Sequence, residues 1–332
     1  MPAPSAETLL RIAAETRLPA ATLEKVLRLL DVLQAIAEDR DLKTRVALKG
    51  GPALNVFHLR LDRLSVDIDL NYVGAVDRVA MEADRPLVDE ALLSLLEAHG
   101  YQVRRQPPGH AGGKWVARYT SALGGGAAIE VDLNYMARGP LFGVQSMSSI
   151  PLGGVTATGI PVIDLHEVVA GKLVALLDRR AARDLFDARR ILETQTLDWS
   201  LVRAGVLAWG AAGRRDWREA SLDDIGGDPR ELRAKLAICL PRDFFEAAGG
   251  VDAWIADTVA VCRIGLASLF ERSAGEAAFL DRLLDGGEID PSGLAVDDDV
   301  KARIVTMPML VWKAQNVRQH IQTHGRSSPA PP

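Results

Sequence analysis

Lys49-Gly50-Gly51 and, after fifteen further residues, Asp67-Ile68-Asp69 form the stretch whose reading decides the fold. Ahead of it, Arg45-Val46-Ala47-Leu48 reads as a short strand that Gly50-Gly51 stops. Pro52 suits the first turn of a new helix, because the N–H it lacks needs no partner there. That helix is expected to reach about Arg60, and Val66 to Val73 returns to a strand. Successive strand side chains point to opposite faces. Asp67 and Asp69 therefore share one face, while Val66, Ile68 and Leu70 take the other. Two carboxylates side by side repel each other, and a cation offsets the repulsion. Hard oxygen donors at this spacing suit Mg²⁺, which prefers carboxylates together with substrate phosphates.

A second strand repeats the pattern. In Ile129-Glu130-Val131-Asp132-Leu133, Glu130 and Asp132 face one way and the apolar residues the other. If the two strands are neighbours, Asp132 completes a three-carboxylate set. Acids of this kind around Mg²⁺ serve in-line phosphoryl or nucleotidyl transfer. The Gly-Gly turn opens a helix, where unpaired backbone N–H groups and the positive dipole end can hold a triphosphate. Alternating acids and apolar residues also describe any half-solvated antiparallel strand, and Gly-Gly also describes a plain tight turn. The two acidic strands together with the turn favour the site.

Outward from this centre the chain divides by period. Residues 5–16 and 22–39 read as amphipathic helices, the second with Leu23, Val26, Leu27, Leu30, Leu33 and Ile36 at helical spacing. A helix from about Val79 to His99 stops at Gly100. Then come β segments Tyr101–Arg105, Lys114–Ser121, Ala127–Tyr135 and Val155–Val162, parted by turns at Gly109–Gly113, Gly124-Gly125-Gly126 and Gly153-Gly154. Leu165–Arg180 and Arg183–Leu192 form a close helix pair, and Trp199 to Arg318 is mostly helical. The tail His324–Pro332 is expected to fray. The chain is thus expected to be α+β: a mixed sheet with flanking helices in an N-terminal lobe, residues 1–195, and an all-helical lobe, 196–332. Its 332 residues suit about two domains.

Composition excludes several classes. With 48% hydrophobic and 25% charged residues the bulk is not disordered. A net charge of −5 excludes a uniformly basic nucleic-acid coat but not a local patch. Cys239 and Cys262 lack the neighbours for a zinc site or a disulfide framework, and read as small buried thiols in helices. No run approaches 18 apolar residues, and the first twenty residues carry acids without a cationic leader. The chain is expected to be cytoplasmic and to make no membrane contact.

The ordered residues resemble the nucleotidyltransferase superfamily, and more narrowly the AbiEii/AbiGii toxin family, which includes the MenT-type toxins of type IV toxin–antitoxin systems. The matching stretches are Leu48-Lys49-Gly50-Gly51-Pro52-Ala53-Leu54, Arg63-Leu64-Ser65-Val66-Asp67-Ile68-Asp69-Leu70 and Ile129-Glu130-Val131-Asp132. His166 to Leu176, Arg183-Asp184-Leu185-Phe186-Asp187 and Pro308 to Ala314 match as well. The resemblance implies a nucleotidyltransferase-like sheet and transfer of nucleotides from an NTP with Mg²⁺, or Mn²⁺ in its place. It implies an RNA acceptor, in some members the 3′ end of tRNA, and hence arrest of translation and growth. A cognate antitoxin protein is implied as partner. By resemblance Asp67, Asp69 and Asp132 hold metal, and Lys49, Gly50, Gly51 and Ser65 bind the nucleotide. Lys172 neutralises β/γ-phosphate charge, and Asp184, in a catalytic or orienting role, leads an Arg-Asp-x-x-Asp element with Asp187 as its second acid. The chain departs from the family at Pro52, where Thr or Ser is common, and its gap from the glycines to Asp67 is long.

Without the family, Lys172 reads as a solvent-facing lysine with a snorkelling stem. Asp184 and Asp187 read as acids favoured by a helix N-terminus. Between residues 171 and 218 stand ten Lys and Arg against six Asp and Glu, a stretch able to meet RNA phosphates. Trp199, Trp209 and Trp217 lie in the same stretch and read as core rather than base-stacking residues. None of His58, His99, His110, His166, His320 and His324 has metal-ligand spacing, and His166 reads as a residue that caps or packs at a helix start. Two alternatives stay open: an acceptor hydroxyl on a protein or small molecule, and a non-catalytic nucleotide-binding module.

Overall fold

The computed structural model describes residues 4–59, 61–106 and 112–324. The expected Gly109 turn, His110 and the tail beyond His324 lie outside the described residues. Contacts divide the chain into two compact units: residues 1–138, 143–165 and 233–250, and residues 139–142, 166–232 and 251–332. Position 195, expected as a boundary, lies within the second unit.

The first unit opens with helices α1 (Ala6–Thr16) and α2 (Ala20–Glu38). Strand β1 (Val46–Leu48) runs into a short helical turn α3 (Gly50–Pro52), which continues as a π-helical segment Ala53–His58. The expected helix is present here but wound more widely, with Leu59 N–H donating to Leu54 O at 2.8 Å. Strand β2 (Ile68–Tyr72) starts later than expected, so Asp67 stands one residue before it. Helix α4 (Arg78–Ala98) follows, and Gly100 ends it at φ +80°. The remaining strands are β3 (Gln102–Arg105), β4 (Gly112–Thr120), β5 (Gly126–Asn134), β6 (Val144–Met147) and β7 (Ile160–Ile163).

Among the described residues, seven strands form one sheet in the order β3-β4-β5-β2-β1-β7-β6. Pairing is antiparallel for β1 with β2 and for β4 with β5, and parallel for β2 with β5 and β1 with β7. One face is apolar. Trp115, Ile129, Val131, Leu133, Ile68 and Leu70 are buried on it beneath α2 and α4. Every residue of the α2 stripe read from the sequence is buried. Each such side chain contributes about 1.5–3 kcal/mol. The other face carries the carboxylates.

Two expectations on strands are corrected. The segment Val155–Val162 is a strand only from Ile160, because Gly159 takes φ +69° and breaks the extended run. Strand β6 was not expected. Its first three residues are exposed, so no burial alternation marked it. Residues 233–250, read as part of the helical lobe, pack in the first unit. There Leu64 N–H donates to Cys239 O at 2.8 Å and Thr22 Oγ1 to Ile238 O at 3.1 Å. This segment holds the short helix α9 (Phe244–Ala247).

The second unit is helical: α5 (Leu165–Arg179), α6 (Ala182–Thr194), α7 (Trp199–Ala211), the single turn α8 (Pro229–Glu231), α10 (Val251–Gly265), α11 (Ala274–Gly286), α12 (Asp298–Thr306) and α13 (Pro308–His324). Helix α10 packs on α6, where Phe186 and Trp254 stack at 6.1 Å. Trp217 is 2% exposed and belongs to the core. Both cysteines are buried, Cys262 in α10 and Cys239 in a tight turn. His166 packs at the start of α5, and its Nε2 accepts from Asp198 N–H at 3.1 Å. Among the described residues no helix is long and apolar enough to cross a membrane.

Candidate functional site

Strand register brings the acids read from the sequence onto one face of the sheet. Asp69 on β2 lies directly across from Asp132 on parallel β5. Parallel neighbours place such residues about 4.8 Å apart at the backbone. Asp67 precedes β2 by one residue, at a bend, and its charge reaches Lys114 on this face. Asn71, two residues beyond Asp69, is 3% exposed on this face. The apolar residues between them lock the register, because a slip of one residue would send Asp69 and Asp132 into the core.

The Gly50-Gly51 turn closes against this face. Lys49 N–H donates to Asp69 O at 2.9 Å, so the end of β1 is tied to the middle of the acidic motif. Gly50 adopts φ +69°, a region in which a side chain is strained. A Cβ at Gly50 would fall 2.6 Å from Asp69 Oδ2, and one at Gly51 would fall 2.6 Å from Ser65 Oγ. The turn thus needs glycine twice, once for conformation and once for space. It leaves a cradle of backbone beside a carboxylate and a hydroxyl. Arg63, 1% exposed, stands behind it, with Nη1 donating to Leu64 O at 3.0 Å.

A hard-oxygen donor set facing a glycine cradle fits a divalent cation that carries substrate phosphates. The carboxylates are not drawn together as they stand: among the described residues no three His, Cys, Asp or Glu side chains form a metal-binding group. Lys114 on β4 lies across from Asp132. Its Nζ sits 2.5 Å from Glu130 Oε2 and 3.7 Å from Asp132 Oδ2. The hydrogen bond to Glu130 pushes the Lys114 pKa up, and the charges of Asp132 and Asp67 add to it. Sequence reading did not single out Lys114. Counting back from the Gly124-Gly125-Gly126 turn along two antiparallel strands would have placed it opposite Asp132.

In the second unit, Lys172 is not the solvent-facing lysine that its helix pattern suggested. Its side chain is 11% exposed, and Nζ lies 3.1 Å from Asp184 Oδ1 and 2.8 Å from Asp187 Oδ2. Asp184 and Asp187 are 1% and 0% exposed, and Arg179 holds the second oxygen of Asp184 at 2.8 Å. The helix-dipole reading of these two acids therefore gives way to a buried ion cluster on α5 and α6. The basic stretch is largely neutralised too. Arg180 and Arg215 pair with Asp224, Arg189 with Glu193 and Asp257, Arg190 with Glu193, Arg203 with Glu276, and Arg218 with Asp216, Asp281 and Asp285.

Other cations stand differently. Arg104 on β3 pairs in register with Val116, and Arg118 on β4 with Ala128. Both therefore project from the same face as Lys114 and Asp132. Both are exposed.

Against known proteins, residues 31–248 match the family model described as nucleotidyl transferase AbiEii toxin, type IV TA system. Among solved structures the chain is similar to MenT4, a nucleotidyltransferase toxin from Mycobacterium tuberculosis H37Rv. The TM-score is 0.53 at 19% identity, over 91% of this chain and 98% of that one. No curated protein sequence matches the chain.

Proposed function

Because the chain belongs to the AbiEii family of nucleotidyltransferase toxins of type IV toxin–antitoxin systems, we propose that it transfers a nucleotide from an NTP to RNA with Mg²⁺, at the tRNA 3′ end, and thereby blocks translation and growth. The observation that carries this reading is the closure of the Gly50-Gly51 cradle onto Asp69, which itself stands in register with Asp132. In the reaction an acceptor hydroxyl attacks the α-phosphorus. A new P–O bond forms, the bond to the β-phosphate breaks, and pyrophosphate leaves. The backbone of Gly50 and Gly51 and the hydroxyl of Ser65 receive the triphosphate, with Lys49 beside them. Asp67, Asp69 and Asp132 would hold the divalent ions, whose chemistry is to lower the pKa of the attacking hydroxyl and offset charge on the leaving group.

Lys172 is assigned the β/γ-phosphate charge on the strength of the family. Asp184 and Asp187 act through Lys172: both are buried and both face its ammonium. They fix the position of its ammonium rather than touch substrate.

Support for a polyanionic acceptor comes from β3 and β4. Arg104 and Arg118 are diagonal neighbours across the antiparallel pair, which puts them about 7–8 Å apart. They offer exposed guanidinium groups on the carboxylate face, suited to bidentate phosphate contact. The 171–218 stretch offers less, since most of its cations are already paired. An antitoxin protein is the partner that family membership implies.

The test is to incubate purified protein with total tRNA, Mg²⁺ and each α-labelled NTP, with Asp67→Ala as control. The expected result is label at tRNA size with one NTP, lost in the variant. Label that survives RNase would move the acceptor to a protein or metabolite. No label with any NTP or acceptor would leave a nucleotide-binding module.

A further inference from the structure

We propose that Lys114 is the resident counter-ion of the third acid, Asp132, and that Glu130 holds the Lys114 ammonium in reserve, so that the pair sets how tightly a divalent cation is taken up at Asp67, Asp69 and Asp132. The inference rests on the metal reading above and deepens it.

Asp69 and Asp132 face each other on parallel strands with like charge. Directly opposed like charges on a sheet are destabilising. Lys114 lies across from Asp132 on its other side. It lies nearer to Glu130, at 2.5 Å, than to Asp132, at 3.7 Å. The ammonium thus bridges two carboxylates on one strand, and it is a third exposed, at 34%. When a cation claims Asp132, Lys114 keeps a partner in Glu130 and is not left unpaired. Asp132 can then turn toward Asp69 without a separate charge being stranded. Lys114 is a positioning residue, acting through Asp132. Glu130 acts through Lys114.

Two opposite effects follow. Lys114→Met removes the competitor for Asp132 and tightens cation binding. Glu130→Gln removes the alternative partner, commits the ammonium to Asp132 and weakens it. Each effect is about fivefold, the scale of one partly exposed ion pair. The combined variant separates this device from simple net charge. If Glu130 acts through Lys114, then Lys114→Met with Glu130→Gln behaves as Lys114→Met alone. If only summed charge matters, the two changes cancel and the combined variant returns to wild type.

The experiment measures Mn²⁺ binding to the full chain by the loss of the free-ion EPR signal. Wild type, Asp67→Asn, Lys114→Met, Lys114→Arg, Glu130→Gln and the combined variant are compared, each checked for folding by circular dichroism. The expected result is Asp67-dependent binding in wild type, tightening in Lys114→Met, wild-type affinity in Lys114→Arg, and a combined variant equal to Lys114→Met. Asp67-dependent binding that Lys114→Met leaves unchanged or weakens overturns this inference alone. So does a combined variant at wild-type affinity. Wild type that binds no Mn²⁺, or binds it equally without Asp67, overturns the metal reading and this inference together.

Discussion

Replacing Gly50 with Ala separates two demands that the glycine cradle makes. The first is conformational. At φ +69° an L side chain sits in the left-handed region, at a cost of about 1–2 kcal/mol. The second is spatial. The new methyl would lie 2.6 Å from Asp69 Oδ2 and 3.3 Å from Asp69 Cβ. Relief comes from rotation of the Asp69 carboxylate or from a shift of the turn that Lys49 N–H ties to Asp69 O, and either alters the fit between them. Gly100 provides the control: it has φ +80° and no atom within 4 Å of its added Cβ. Gly100→Ala carries the strain without the clash. Gly100→Ala is expected to melt lower than wild type by roughly 2–8 °C, taking about 2–4 °C per kcal/mol for a chain of this class, and Gly50→Ala by more, since it adds the clash. Gly50→Ala alone is expected to lose nucleotide transfer, by about a hundredfold for a displacement near 1 Å at a catalytic group. The assay pairs melting by circular dichroism with pyrophosphate release in the presence of NTP, Mg²⁺ and RNA. Transfer by Gly50→Ala within about threefold of Gly100→Ala would refute the claim that closeness to Asp69 is what the turn supplies.

Three more outcomes follow from the charged side chains. Lys172→Met leaves Asp187 buried without its ammonium and is expected to cost about 3–5 kcal/mol; combining it with Asp187→Asn should recover part of the lost melting temperature but none of the transfer activity. Arg104→Ser with Arg118→Ser is expected to lower the slope of log affinity for single-stranded RNA against log salt by about 1.4, near 0.7 for each phosphate that is no longer neutralised; filter binding over a salt series that gave an unchanged slope would remove those residues from the acceptor surface. The Arg218 hydrogen bond holds the Asp216 carboxyl below its ordinary 3.8. A depressed folded-state value adds stability that is present above 3.8 and is lost as pH falls through the folded value. Arg218→Met should therefore melt below wild type at pH 7 by an amount worth about 1 kcal/mol, given the partial exposure of the pair, and the gap should close on acidification below pH 3.8.

How far the sequence reached depended on whether a signal was local. The Asp67/Asp69 and Glu130/Asp132 alternation was legible because a strand has period two and its other face is apolar. The α2 stripe was legible for the same reason at helical period. Strand β6 was not, since Val144, Gln145 and Ser146 are all exposed and carry no contrast between faces. Residues 233–250 were not, since what assigns them to the first unit is a set of long-range contacts, such as Leu64 with Cys239. Lys172 failed as a local reading because the carboxylates that bury it come from the next helix, twelve and fifteen positions on.

The two basic regions bring this limit to bear on function. From composition, residues 171–218 were the natural place to seek an RNA surface. Their partners in the fold include Asp224, Asp257, Glu276, Asp281 and Asp285, all beyond that stretch. A count of charge along the chain cannot see a carboxylate that arrives from a distant helix. Arg104 and Arg118 are modest by the same count, and the register of two short strands places them on the carboxylate face. What recommends a cation for meeting phosphate is therefore its exposure and its place relative to the reacting group, more than its number of basic neighbours in sequence. On the ground of exposure the acceptor is better sought along β3 and β4 than along α6 and α7.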